Sequence, residues 1–240
     1  MARLGVGVVG TGWVSGEHIR AFQVNPHTEV RAICSRSEEA GRKKAAVCGI
    51  ACDIFTDYAK MLQQAPIDIV AIATPPHRHA EQAIAAARAG KHLFLEKAMA
   101  TTLHDAGRIR DAVAEAGVKS VVNFVLRWNP LFEIIKTQLA DDAIGRTFYG
   151  EVDYFHGIGP WYRGYVWNIK KDIGVSSLLS AGCHAMDALR WFMGGEIIEV
   201  AAYATRGDGP GFESYEYKPT ICTICKFADG RVGKVASCIA

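Results

Sequence analysis

The sequence predicts an α/β chain, with an N-terminal doubly wound parallel sheet followed by an α+β domain built on a mostly antiparallel open sheet. Three observations carry that prediction. Apolar runs of strand length alternate with stretches of helical character through the first half of the chain. A glycine pair, Gly10 and Gly12, joins the first apolar run directly to the first helical stretch. Beyond residue 124 the alternation gives way to strands with looser spacing and hairpin turns, so the domains are predicted as 1–124 and 125–240.

In the first half, strands are expected at residues 4–9, 30–34, 67–73, 92–95 and 118–124. Each is an apolar run bounded by glycine, proline or charge. Helices are expected between them, at 17–24, 37–48, 56–64, 77–89 and 102–116. Ser37 and Thr56 or Asp57 stand where N-caps belong, and Gly90 closes the alanine-rich AEQAIAAARAG stretch. Strands separated by helices of this length pair in parallel through right-handed crossovers. The second half reads as a helix at 131–140, strands at 147–155, 197–205, 220–227 and 231–237, and one further helix at about 180–192. The ADG at 228–230 is a hairpin turn.

Composition excludes several classes of function. Half of the 240 residues are apolar and 22% are charged, too hydrophobic for a disordered chain. A net charge of +2 with no long run of one sign leaves no electrostatic footprint for nucleic acid or an anionic membrane. Charged residues such as Asp68 and Arg78 interrupt every hydrophobic stretch short of a membrane span. The N-terminal MARLGVGVVGTGWVSG has the outline of a signal peptide, but its apolar core is too short and carries two glycines. The seven cysteines are odd in number and scattered, which suits reduced thiols and a cytoplasmic protein. Cys222 and Cys225 have CxxC spacing but lie in a strand-like run, where i and i+3 face opposite ways, so no metal site is expected.

The chemistry begins at Gly10–Ser15, GTGWVS, between the first strand and the first helix. Gly10 permits a tight turn, and Gly12 lets a pyrophosphate approach the backbone at a helix N-terminus. Ser15 stands in place of the third glycine and is small enough for close helix packing. A dinucleotide is the implied cofactor. At the end of the second strand, where a carboxylate would bind the ribose hydroxyls of NAD, stand Ser35 and Arg36. No carboxylate repels a 2′-phosphate and a guanidinium is available to pair with one, so NADP(H) is favoured over NAD(H). The alternative is that Arg36 stacks on adenine or is a solvated turn residue.

Lys97 stands just past the buried run at 92–95, at the carboxyl end of the sheet, where open α/β folds bind ligands. His184 and Asp187 are three apart in the later helix, so the carboxylate can orient the imidazole or stabilise its charge. In PWYRGYVWN, residues 160–168, Trp161, Tyr162, Tyr165 and Trp167 surround Arg163. Aromatic faces suit the C–H faces of sugar rings and a guanidinium suits a hydroxyl or carboxylate. A domain or oligomer contact is the competing reading of this segment. His156 is expected to border the same pocket.

Three segments taken together are specific: ATPPHRHAEQAIAAARAGKHLFLEKAMA at 73–100, RWNP at 127–130 and LLSAGCHAMDALRWFMGGEIIEV at 178–200. In that order behind GVVGTGWVSGEH, the chain resembles the glucose-fructose oxidoreductase, inositol dehydrogenase and MocA family (Gfo/Idh/MocA). The resemblance implies an NAD(P)-binding Rossmann domain, then a substrate-binding domain whose open sheet often forms the contact of a homo-oligomer. It implies a sugar or cyclic polyol as substrate, with Lys97 at the substrate oxygen and Glu96 near the nicotinamide. It also implies backbone contacts to the cofactor from Thr11, Gly12 and Trp13, with Thr74, Pro75 and His79 near the ribose and pyrophosphate. Arg127 matches a residue that reaches towards cofactor or substrate, and His77 is read as a cap or surface residue.

Three positions depart from the family. Ser180, one helical turn before His184, replaces an aspartate; Ala98 replaces a proline after the EK pair; Val125 replaces an asparagine. Ser180 supplies hydrogen bonding without charge. A cis peptide without proline costs about 2.5–4 kcal/mol, so a trans bond is expected at Lys97–Ala98. Family members continue beyond the point where this sequence stops at ASCIA, so the second sheet is expected to be incomplete. The leading expectation is hydride transfer between NAD(P) and a secondary hydroxyl or keto group. The alternatives are a cofactor-retaining enzyme that cleaves glycosides through transient oxidation and a non-catalytic dinucleotide-binding protein.

Overall fold

The computed structural model describes residues 2–156, 166–173, 175–209 and 211–239. The chain divides into two units, 1–123 and 124–240. In the first, strands β1 (Leu4–Val9), β2 (Thr28–Cys34), β3 (Asp53–Phe55), β4 (Ile69–Ile72), β5 (His92–Leu95) and β6 (Ser120–Val122) form one sheet. Their order is β3-β2-β1-β4-β5-β6 and the pairings are parallel, the doubly wound arrangement with its reversal between β1 and β4. Helices α1 (Trp13–Val24), α2 (Glu38–Cys48), α3 (Tyr58–Gln64), α4 (His79–Arg88) and α5 (Leu103–Ala116) connect the strands.

The local reasons are readable. Ser37, Asp57 and Thr102 cap α2, α3 and α5 by accepting from the backbone N–H of Ala40, Lys60 and Asp105. Strand β1 is buried on both faces, with Val8 at 0% and its neighbour Val9 at 3% exposure, which is why it reads as a near-continuous apolar run. Ile19, Ile33 and Ala71 pack with Val6 and Val8 in one core; Met61, Ile72, Ala83 and Leu95 belong to another. Strand β3 was not expected, because three residues are too few to establish a periodicity. It forms as an edge of the sheet by pairing with Ala32–Cys34.

In the second unit, β9 (Ile197–Thr205), β10 (Thr220–Phe227) and β11 (Val232–Cys238) make an antiparallel meander. Two short strands, β7 (Tyr149–Glu151) and β8 (Tyr154–Phe155), run parallel to β11, so the sheet is mixed. The single strand expected at 147–155 is broken because the Asp153 carboxylate, rather than a backbone carbonyl, accepts from Ala236 N–H (2.7 Å). It also accepts from Lys234 Nζ (2.7 Å). Helix α6 (Pro130–Ala140) precedes these strands, and α7 (Cys183–Met193) packs on the sheet. Ala185, Leu189 and Met193 of α7 form a core with Cys225, Phe227 and Val235. Cys222 is exposed where Cys225 is buried, as strand alternation requires.

Glycine in β1 has a specific steric cause. A Cβ at Gly5 would stand 2.2 Å from the Pro66 carbonyl oxygen, so the strand depends on the close approach of the segment before β4. Gly5→Ala is expected to destabilise the protein by about 1–3 kcal/mol in urea unfolding. An unchanged midpoint would show that the Pro66 segment yields without cost.

Candidate functional site

In the first unit the turns after β1 and β4 flank the point where strand order reverses. Gly10 has φ +99°, and a Cβ there would lie 2.5 Å from the Ala73 carbonyl oxygen, so this turn requires glycine. Gly12 is the N-cap of α1 and makes no side-chain cap bond; among the described residues, nothing beyond its own chain neighbours lies within 4 Å of where its Cβ would stand. An open space therefore faces a helix N-terminus whose first N–H groups need acceptors, with Thr11 and the exposed Trp13 on either side of Gly12. Two side chains hold the loop through the Gly12 carbonyl oxygen: Ser15 Oγ donates to it at 2.7 Å and Lys44 Nζ at 2.8 Å. Ser15 is wholly buried and fills the position of the third glycine without opening α1.

Ser35 and Arg36 close β2. Ser35 is buried and its hydroxyl donates to the Ser37 carbonyl oxygen (2.5 Å), while Arg36 is exposed. The cradle at Gly12, the uncapped helix and the neighbouring Lys44 fit a dinucleotide: Gly12, Trp13 and Lys44 would hold its phosphates, and Ser35 and Arg36 its adenosine ribose.

After β5 comes the Glu96–Lys97 turn. Glu96 is 7% exposed, and burial by itself would raise its carboxyl. Hydrogen bonds from His18 and Asn123, together with the charges of His18 and Lys97, outweigh that and hold it below the usual carboxylate range. His18 Nε2–H and Asn123 Nδ2–H both donate to Oε1, at 2.8 and 2.7 Å, and Oε2 accepts the Lys97 backbone N–H at 3.1 Å. A buried anion thus fixes the start of the lysine turn. The Lys97–Ala98 peptide is cis, which corrects the trans bond expected from the missing proline. The expectation weighed a single bond's preference alone, whereas the turn sits in a network: the Ala98 carbonyl oxygen lies 2.8 Å from His79 Nδ1.

His79 itself is fully buried, its ring set between the turns that follow β4 and β5. Thr74 donates from Oγ1 to Gln82 Oε1 (2.6 Å), anchoring the turn after β4, and Pro75 leads into a 3₁₀ turn at Pro76–Arg78. His77 is exposed, as a surface residue should be.

In the second unit, a π-helical turn at Leu178–Gly182 leads into α7. Ser180, Ala181 and Gly182 are buried in it; such turns are frequent at functional sites. His184, in the first turn of α7, is 8% exposed. Its ring stacks with Tyr154 (6.1 Å between centroids) and meets Phe124 edge-on (6.1 Å). His156 stacks on the same tyrosine (5.9 Å), so Tyr154 links the two histidines. Ser180 Oγ donates to Asn168 Oδ1 (2.9 Å), and Asn168 is wholly buried.

Asp187 forms an ion pair with Arg127, a partner its spacing in the helix did not suggest. Its two oxygens accept from Arg127 Nε and Nη2, each at 2.8 Å, and the guanidinium lies over the Trp191 ring at 5.3 Å. A carboxylate matches the planar fork of Arg better than the single N–H an imidazole presents. Arg127 is thereby tied to α7. Trp161, Tyr162, Arg163 and Tyr165 lie outside the described residues. His18, Lys44, Asn123 and Asn168 escaped the sequence reading; each is a polar residue distant in sequence from its partner, and spacing carries no signal for such a pair.

Among the described residues no group of three or more His, Cys, Asp or Glu could hold a metal, and no helix is long and apolar enough to cross a membrane. Comparison with known proteins gives a consistent picture. D-apiose dehydrogenase of Paraburkholderia graminis is 31% identical over 83% of this chain, which spans 52% of that protein, about half its length. The structure is similar to that of GenD2 from gentamicin A biosynthesis in complex with NAD, with TM-score 0.88 and 25% identity, covering 100% of this chain and 68% of that one. It is also similar to the WlbA dehydrogenase of Bordetella pertussis in complex with NADH and UDP-GlcNAcA, with TM-score 0.88 and 28% identity, covering 99% and 71%. The family described as "Oxidoreductase family, NAD-binding Rossmann fold" matches residues 4–124, and the GFO/IDH/MocA C-terminal domain matches residues 132–240. With an uncapped glycine turn at the strand-order reversal and a Glu-Lys turn beside it, the chain belongs to the Gfo/Idh/MocA oxidoreductase family.

Proposed function

We propose that this protein is an NAD(P)-dependent oxidoreductase acting on a secondary hydroxyl or keto group of a sugar or cyclic polyol. The observation that carries the reading is Lys97, at the carboxyl end of β5 in a turn held by the buried Glu96 anion. When bound, a nicotinamide supplies the hydride acceptor or donor. The chain's residues then have to manage the proton and the geometry. Forming a carbonyl from a secondary alcohol leaves a proton to be removed from the hydroxyl oxygen, and the reverse reaction must return it. We assign Lys97 and His184 to hold and move that proton.

Ser180, hydrogen-bonded to Asn168, offers a neutral donor and acceptor pair next to the His184 turn where the family carries a charge. Asp187 serves by fixing Arg127. Trp161, Tyr162 and Arg163 are assigned to the sugar, on the chemistry of aromatic faces and a guanidinium. The relatives named for apiose and levoglucosan support a carbohydrate substrate. Ser35 and Arg36 support NADP(H) over NAD(H). A second copy of the chain is the proposed partner, through the sheet face where Tyr203 and Ile224 are exposed. None of the seven cysteines is in a disulfide, which supports a reducing, cytoplasmic setting.

Two measurements test this. With a panel of sugars and polyols, Lys97→Ala is expected to lower turnover at least roughly hundredfold while dinucleotide binding persists; wild-type turnover would remove Lys97 from the chemistry. Arg36→Ala is expected to weaken NADP binding roughly tenfold and leave NAD binding close to wild type. Equal losses for the two dinucleotides would overturn the NADP preference.

A further inference from the structure

His79, the first residue of α4, is 0% exposed and joins two turns that are distant in sequence. Its Nε2 lies 2.8 Å from the Thr74 carbonyl oxygen, in the turn after β4; its Nδ1 lies 2.8 Å from the Ala98 carbonyl oxygen, just past Lys97. A carbonyl oxygen can only accept, so each contact is a hydrogen bond only when that nitrogen carries a proton. Neutral imidazole has one N–H. It satisfies one carbonyl and turns a lone pair towards the other. Only the imidazolium bonds both.

The ionisable groups whose charge reaches His79 are Glu96, which favours the imidazolium, and His77, which opposes it. Burial opposes it most strongly; the two carbonyl contacts and Glu96 act in the other direction without cancelling it, and the ring titrates below the ordinary histidine value. The second hydrogen bond is therefore gained as pH falls through that lowered value.

We propose that His79 is a positioning residue that ties the Thr74 turn to the Lys97–Ala98 turn, and that through it dinucleotide binding is coupled to uptake of one proton. The proposal rests on the reading above, in which a dinucleotide binds at the strand-order reversal that the Thr74 turn flanks and Lys97 acts on the substrate. Neutral His79 secures one turn; the charged ring secures both. Binding that needs both turns in place favours the charged ring, and by linkage acid favours binding. The proton comes from solvent and stays on the imidazole, so no other group changes state.

The test is calorimetric titration of NAD and NADP into the full chain, in buffers of different ionisation enthalpy and from mildly alkaline to acid pH. Wild type is expected to take up a proton on binding and to bind roughly tenfold more tightly on the acid side, the effect of one hydrogen bond from a charged donor. His79→Gln keeps one donor but cannot titrate, and is expected to bind with neither proton uptake nor that pH dependence. Equal uptake in both proteins would overturn the proposal. A stability readout accompanies it. Because the folded ring titrates below the unfolded one, the unfolded chain binds the proton first as pH falls, so stability drops across that window in wild type and not in His79→Gln.

Nitrogen NMR of the ring in the dinucleotide-free protein is independent of both binding and Lys97. A second ring N–H appearing in acid, with shifts at the Thr74 and Ala98 carbonyl carbons, supports the tie; a ring that stays singly protonated wherever the protein is folded overturns it. If no dinucleotide binds, the oxidoreductase reading fails and this spectrum alone decides the role of His79.

Discussion

The side chains assigned to cofactor and chemistry in the first unit take their places from one constraint, the reversal of strand order between β1 and β4. Strands laid down outward from β1 in both directions send their following turns to opposite sides of the sheet, and only between β1 and β4 is no connection forced across the gap. The turn after β1 must then bend tightly against Ala73, which Gly10 alone permits, and α1 must start with its N-terminus facing the gap. A helix terminus without a side-chain cap at that point is a structural liability in an ordinary protein and the anion site of the function proposed for this one.

A second constraint follows from burial. The carboxylate of Glu96 lies among β5, β6 and α1, where an uncompensated charge would be expensive. His18 and Asn123 supply the donors that make the charge tolerable, and they come from two different elements. The result is a fixed acceptor for the Lys97 N–H. Removing either donor would leave part of a buried anion unsatisfied, so the network stands or falls together. His79 braces the turn from the other side of Lys97, so the lysine backbone is held at both ends by buried polar contacts.

The second unit reaches its arrangement by packing. Gly150 and Gly233 leave room on the sheet for Met193 and Leu189, since a Cβ at either would lie 2.7 Å from those side chains. Helix α7 can therefore lie close on the sheet, and the π-helical turn before it sets Ser180 and His184 into buried positions. Ser180 Oγ donates to Asn168 Oδ1 there, a bond between two neutral groups with no charge to compensate. Asp187, further along, is neutralised by Arg127 in a two-pronged pair with one partner largely shielded.

Much of this was legible from the residues alone. Strand and helix alternation, the helix caps at Ser37 and Asp57, the glycine turn, the Glu-Lys turn and the hairpin at 228–230 are local features, and local sequence carries them through backbone sterics and hydrogen-bond satisfaction. Strand β3, the break between β7 and β8, and the cis bond at Lys97–Ala98 were not legible, because each depends on a neighbour remote in sequence. The same division runs through the site. Sequence by itself determined the family, the fold class and the residue types able to bind a dinucleotide and move a proton. Tertiary structure alone decided that Asp187 holds Arg127, that His18 and Asn123 keep Glu96 charged, and that Lys44 reaches the Gly12 carbonyl. The physical reason is that a polar side chain's choice of partner is made by three-dimensional proximity and burial, which residue spacing along the chain does not encode.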